Sequence, residues 1–126
     1  MNLKQKKKKP NSKYWRSKAD ALWGSIIHSK YGECLINDEH CHGRLEAHHL
    51  ISRGKGVTRH DLNNGVLLCT NHHKFSIQCS PHMGQIGFAD WLKENQPEKY
   101  HYFLTNRWRN EKHNYREACE RLAEWK

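Results

Sequence analysis

The forty residues from Cys34 to His73, CLINDEHCHGRLEAHHLISRGKGVTRHDLNNGVLLCTNHH, hold ten of the sixteen histidines and cysteines in this chain, side chains that can bind metal ions or move protons. Eight of the eleven histidines fall between His40 and His82, and four of the five cysteines between Cys34 and Cys79, a density that core packing does not require. Two sets interleave. The first is Cys34, Cys41, Cys69 and His72, a candidate tetrahedral zinc set, since structural zinc takes four Cys or His donors as a close pair and a distant pair. Cys69 and His72 stand three apart, which puts both on one side of a turn entering a helix. Cys34 and Cys41 supply the second pair across a gap wider than the usual spacing of about two to four residues. His40 or His42 is therefore an alternative to Cys41, and Cys79 is near enough to substitute.

The second set is His48 and His49, then Asn64, then His73. Adjacent residues of a regular strand point to opposite faces, so both histidines reach one reaction centre only where the strand twists or ends. Gly54 and Gly56 follow soon after, consistent with such a break. On a helix His72 and His73 diverge by about 100°. One can join the zinc while the other faces a second metal.

These residues need elements to position them. Residues 12–31 carry Trp15, Ala19, Leu22, Trp23, Ile26, Ile27 and Tyr31 at helical spacing, with Ser12 available as a cap and Gly32 at the end. The pattern predicts a one-sided helix with Trp15 and Trp23 as core anchors. Residues 33–42 read as a ligand-bearing loop, 45–51 as a strand ending in the two histidines, 52–63 as a long loop, 65–68 as a second strand, and 70–75 as a helix starting beside Cys69. After a loop over 76–87, residues 88–95 read as a short helix, and Pro97 suits the first turn of the next. Tyr100 to Trp125 keep a helical period, giving one long helix or two joined near 109–113, with Cys119 on a helix face. This arm exceeds what so small a domain needs to cover, and projection towards DNA, a partner or a second copy is open. The expected organisation is a disordered basic tail over 1–11, a helix over 12–32, a metal-bound core over 33–87 and a helical arm over 88–126.

Composition sets the bounds. A chain of 126 residues allows one compact domain with appendages, and at 36% hydrophobic residues its core is thin, so a structural metal would help it. An odd number of cysteines behind a lysine-rich start, with no hydrophobic signal segment, favours a reducing, cytoplasmic compartment over a disulfide scaffold. No stretch is long enough to span a membrane. The net charge of +9 belongs to the tail: residues 1–18 hold eight of the twenty-two Lys and Arg and no acid. Lys4, Lys6, Lys7, Lys8 and Lys9 read as a polyelectrolyte able to neutralise phosphates without sequence choice.

The stretch AHHLISRGKGVTRHDLNNGVLLCTNHH resembles the HNH nucleases of the ββα-metal superfamily through HH-x14-N-x8-H with an overlapping C-x2-H knuckle. GFADWLKENQPEKY is in addition similar to the tail of small phage-encoded HNH proteins. The resemblance implies an α+β fold, a zinc-stabilised ββα-metal core flanked by N- and C-terminal helices. It implies His49 as general base, His48 and His73 as ligands of a catalytic divalent ion, and Asn64 as the residue that orients the base and its loop. The implied activity is metal-dependent hydrolysis of DNA, leaving 5′-phosphate and 3′-hydroxyl ends.

Chemistry accounts for the same residue types. Phosphodiester hydrolysis needs a base titrating near neutral pH to take a proton from water, and imidazole is the unperturbed side chain that does so. It also needs a cation on the scissile phosphate and the leaving oxygen. Mn²⁺, Ni²⁺, Co²⁺ or Mg²⁺ can fill that role. Arg53, Lys55 and Arg59 are candidates to share the developing charge, while His60 and His82 read as surface residues. The rival expectation is a zinc-stabilised nucleic-acid-binding or assembly module without catalysis.

Overall fold

The computed structural model describes Asn2 and residues 8–125; of the tail lysines, Lys4, Lys6 and Lys7 lie outside the described residues. A two-stranded antiparallel sheet is held between helices. Strand β1 (Leu45–His49) pairs with β2 (Gly65–Cys69), Leu45 opposite Cys69 and His49 opposite Gly65. Every residue of β2 is buried, because both of its faces are covered. Leu67 packs with Trp23, Ile26 and Ile27 of helix α1 (Lys13–Tyr31). Its neighbours Val66 and Leu68, on the opposite face by the two-residue period of a strand, pack with Phe88 and Leu92 of α3 (Gln85–Asn95).

Helix α1 buries Trp15, Ala19, Trp23, Ile26 and Ile27 and stops where Gly32, at φ 72°, turns left-handed and returns its N–H to the His28 carbonyl. Ser12 occupies the N-cap position, but its side chain makes no capping bond. The expected long loop after β1 contains structure of its own, a short helix α2 (Gly56–Arg59) and a 3₁₀ turn at Leu62–Asn64. After β2 the chain enters a π-helical turn at Asn71–Phe75. That turn completes a mixed α/β arrangement of the general ββα-metal kind.

Beyond α3 the C-terminal arm is two helices, not one long one. Pro97 opens α4 (Pro97–Asn106), and Asn114 caps α5 (Tyr115–Ala123) by accepting the Glu117 N–H. Rather than projecting away, α5 lies back on α1, where Tyr115, Ala118 and Cys119 pack with Trp15 and Ala19. Asn11 is bound in as well, accepting the Tyr115 N–H at 2.9 Å and donating to the His113 carbonyl at 3.0 Å. Among the described residues no helix is long and apolar enough to cross a membrane.

Candidate metal centre and reaction site

Cys34, Cys41, Cys69 and His72 come together with their donor atoms all within 4.8 Å of one another. The His72 Nδ1 lies 3.7 Å from the Cys34 Sγ, 3.5 Å from Cys41 and 3.3 Å from Cys69. Bond lengths of about 2.3 Å to sulfur and 2.0 Å to nitrogen at a tetrahedral angle would separate S and N by about 3.6 Å. The donor set therefore fits one four-coordinate ion. The other ring nitrogen of His72 lies 3.2 Å from the Asp38 carboxylate, on the side away from the three sulfurs.

Local bonds set the loop in place. Gly43 adopts φ 91° against Thr70, where a Cβ would come within 2.6 Å of the threonine side chain. The Asn71 amide donates to the His42 carbonyl, its side chain donates to the His40 carbonyl, and the Thr70 hydroxyl donates to the Arg44 carbonyl. His40 and His42 thus contribute backbone to this turn. Cys41 is the loop residue whose side chain joins the cluster.

A second cluster lies across β1. His48 Nδ1 is 3.1 Å from His73 Nε2, and His82 Nε2 is 3.2 Å from the same atom. The three nitrogens fall within 4.8 Å of one another. Ligands at about 2.0–2.1 Å from one ion lie about 2.9–3.4 Å apart between octahedral and tetrahedral geometry, so the separations of His48 and His82 from His73 suit a shared ion. Glu46 fixes the tautomer, since its carboxylate sits 2.9 Å from His73 Nδ1 and must receive a proton from it, leaving Nε2 as a lone pair facing His48 and His82. That hydrogen bond, reinforced by Lys74, keeps the Glu46 carboxyl below its usual range. Burial, and the neighbouring histidines, pull His48 down to about 3. Burial also lowers His73, against the opposing pull of Glu46, so both imidazoles are favoured in the neutral form that binds a cation.

The expectation that His82 is a surface residue is incomplete. It is exposed, yet a tight turn aims it at His73: the Ser80 hydroxyl donates to the Ser76 carbonyl at 2.8 Å and accepts the Met83 N–H at 3.0 Å. No family model, curated protein or solved structure matches the chain. The site is therefore read from its own residues.

His49, the last residue of β1, turns to the face opposite His48. Its ring lies flat on the indole of Trp23, centroids 3.8 Å apart and planes within 10°. Its Nε2 is 2.9 Å from the Arg59 carbonyl, an acceptor only, so the proton sits on Nε2 and Nδ1 is the basic atom. Burial lowers His49 to about 4 against the pull of that carbonyl, so it is unprotonated at neutral pH though less basic than a free imidazole. Because β1 ends here, His48 and His49 line one open pocket of about 670 Å³ together with Arg53, His73, Lys74 and His82.

Asn64 is fully buried, and its side-chain amide bonds backbone groups of the loop rather than the His49 ring. Its Oδ1 accepts the Ile51 N–H at 2.7 Å, and its Nδ2 donates to the Ile51 and Thr58 carbonyls at 3.0 and 3.1 Å, tying both ends of the loop after β1 together. The three basic loop residues separate. Arg53 is exposed at the pocket, and Lys55 lines a neighbouring cleft with His113 and Lys112. Arg59 points its guanidinium away from the pocket to Asp20, in two bonds of 2.9 and 2.8 Å, which removes it as a free phosphate ligand. His60 is buried, not superficial, with Nε2 2.6 Å from the same Asp20. Lys74, which the sequence did not single out, is half exposed at the pocket rim.

Proposed function

We propose that the protein is a metal-dependent HNH endonuclease that hydrolyses DNA phosphodiester bonds and is held together by a structural zinc. One observation carries this reading: His48 and His49 leave the strand end in opposite directions yet border one pocket, His48 in a three-imidazole cluster and His49 with a fixed tautomer and an Nδ1 that has no hydrogen-bond partner among the described residues. A purely structural metal module has no use for a neutral, oriented imidazole beside a second donor set. The Cys34, Cys41, Cys69 and His72 donors suit zinc, whose structural sites include sets of three thiolates and an imidazole.

His48, His73 and His82 would hold the divalent cation, which when bound would supply Lewis-acid chemistry to a phosphodiester. His49 Nδ1 accepts the proton of the attacking water while Nε2–H remains on the Arg59 carbonyl. Arg53 and Lys74 lie where positive charge can offset the charge that grows on the phosphate oxygens. Asn64 holds the loop that carries the Arg59 carbonyl. The pocket is open and bordered by cations, as a polymer substrate requires, and the lysines of the first nine residues add phosphate affinity without sequence preference.

Plasmid nicking tests the reading. Protein carrying its zinc should nick supercoiled DNA with added Mn²⁺ or Mg²⁺ and stop when EDTA is added. Binding without nicking under every metal tried would favour the non-catalytic module.

A further inference from the structure

Helix α1 lies outside the stretch that resembles the nuclease motif, and it nevertheless grips three consecutive residues of the loop behind His49. Asp20 takes the Arg59 guanidinium in two bonds of 2.9 and 2.8 Å and the His60 Nε2 at 2.6 Å. Trp23, three residues on and so on the same helix face, donates its Nε1–H to the Asp61 carbonyl at 3.0 Å. The same Trp23 carries the His49 ring on its indole face.

An imidazole at a strand end has two torsions to fix before one chosen nitrogen can meet a water. The Arg59 carbonyl at 2.9 Å sets which nitrogen points inward, and the indole at 3.8 Å sets the plane of the ring. We infer that Trp23 and Asp20 are positioning residues for the reaction: Trp23 holds the plane of His49, and Asp20, through Arg59, holds the carbonyl that orients it. The inference rests on the nuclease reading above.

Two further features suit this role. Gly65 stands opposite His49 in the sheet, and a Cβ there would meet Ile27 Cδ1 at 2.4 Å and Trp23 Cζ2 at 2.7 Å, so the missing side chain is what lets the indole reach the histidine. The loop is also braced from its far side, where Tyr115 of α5 lies edge-on to His60 at 5.3 Å and Arg121 donates to the His60 carbonyl at 3.2 Å. The carbonyl that meets His49 is thus held from both ends of its turn.

The experiment compares wild type, W23F, W23L, D20N, H49A and W23L/H49A, each checked for zinc stoichiometry and melting temperature, in steady-state nicking with saturating Mn²⁺. W23L should lower kcat about 10- to 100-fold, the scale of a misplaced catalytic group, with KM within about threefold of wild type. W23F, which keeps a flat face, should recover most of the loss, and D20N should lower kcat with KM little changed. Adding W23L to H49A should cost nothing more, because the indole acts through the imidazole. The His49 ring protons should show an upfield ring-current shift by NMR in wild type and W23F and lose it in W23L.

Where W23L does not fold, D20N decides through the same kcat and KM split. An active wild type whose kcat is indifferent to W23L, W23F and D20N would overturn the inference alone, as would a W23L loss of equal size with and without His49. A wild type that never nicks, with the ring-current shift intact, would instead overturn the nuclease reading.

Discussion

His72 and His73 are neighbours in the chain and serve different clusters: His72 Nδ1 lies 3.3 Å from Cys69 Sγ, while His73 Nε2 lies 3.1 Å from His48 Nδ1. The π-helical turn at Asn71–Phe75 separates the two rings, and a carboxylate backs each one, Asp38 behind His72 and Glu46 behind His73. Opposite phenotypes should follow for adjacent substitutions. H72A should behave like C69S, losing zinc and much of the fold, because structural zinc binding is coupled to folding. H73A should keep zinc and its circular dichroism spectrum and lose hydrolysis. A folded, zinc-replete H72A beside an unfolded H73A would mean that the ligands are assigned to the wrong ions.

His82 and Glu46 should prove necessary for the second ion though neither is needed for the fold. Loss of a carboxylate behind a metal-bound histidine costs about 10- to 100-fold in metal affinity, so E46Q should weaken Co²⁺ or Ni²⁺ binding on that scale. H82A, removing a donor itself, should cost at least as much. Calorimetric titration of zinc-loaded protein reads both, and unchanged affinity in H82A would leave only His48 and His73 as ligands.

The local part of the site was legible in the sequence because its signal is local. Histidines at a strand end, an Asn-Gly before the next strand and a Cys-x-x-His at a turn each fix geometry within a few residues. His82 was not legible, since the turn that aims it depends on Ser80 bonding Ser76 in a stretch without periodicity. Arg59 and His60 were misjudged for another reason: their partner Asp20 sits about forty residues away on a helix whose pattern shows only that it is amphipathic. Periodicity likewise marked Trp23 as buried, which it is, without showing that one of its neighbours is His49.

Acid should weaken the fold well before the carboxylates titrate. Burial holds His48 at about 3 and His49 at about 4, and it keeps His60 and His73 below the ordinary 6.5 as well. Below about pH 6.5 the unfolded chain therefore binds protons that the folded chain refuses, and stability falls as pH drops towards 4. Asp20 is raised by burial but lowered more by Arg59 and His60, so its contribution persists above 3.8 and is lost only as pH falls through its lower folded value. Melting temperatures followed by circular dichroism should decline steadily from pH 6.5 to 4. A flat profile over that range would contradict the burial of these imidazoles.

Metal preference should reflect three imidazoles with no carboxylate among the donors of the second cluster. Imidazole suits transition ions better than Mg²⁺. Nicking by protein stripped at that cluster should be at least as fast with Mn²⁺, Ni²⁺ or Co²⁺ as with Mg²⁺. Activity with Mg²⁺ alone would point to a different set of ligands.

The most direct measurement is single-turnover DNA cleavage by H49A beside wild type, at matched zinc content, matched DNA affinity and saturating divalent ion. His49 touches neither cluster through its ring nitrogens, so its removal should leave both ions in place. The account predicts a rate lower by at least ~10²-fold, the usual scale for a missing general base. Cleavage by H49A at the wild-type rate, with the same dependence on the added ion, would contradict it.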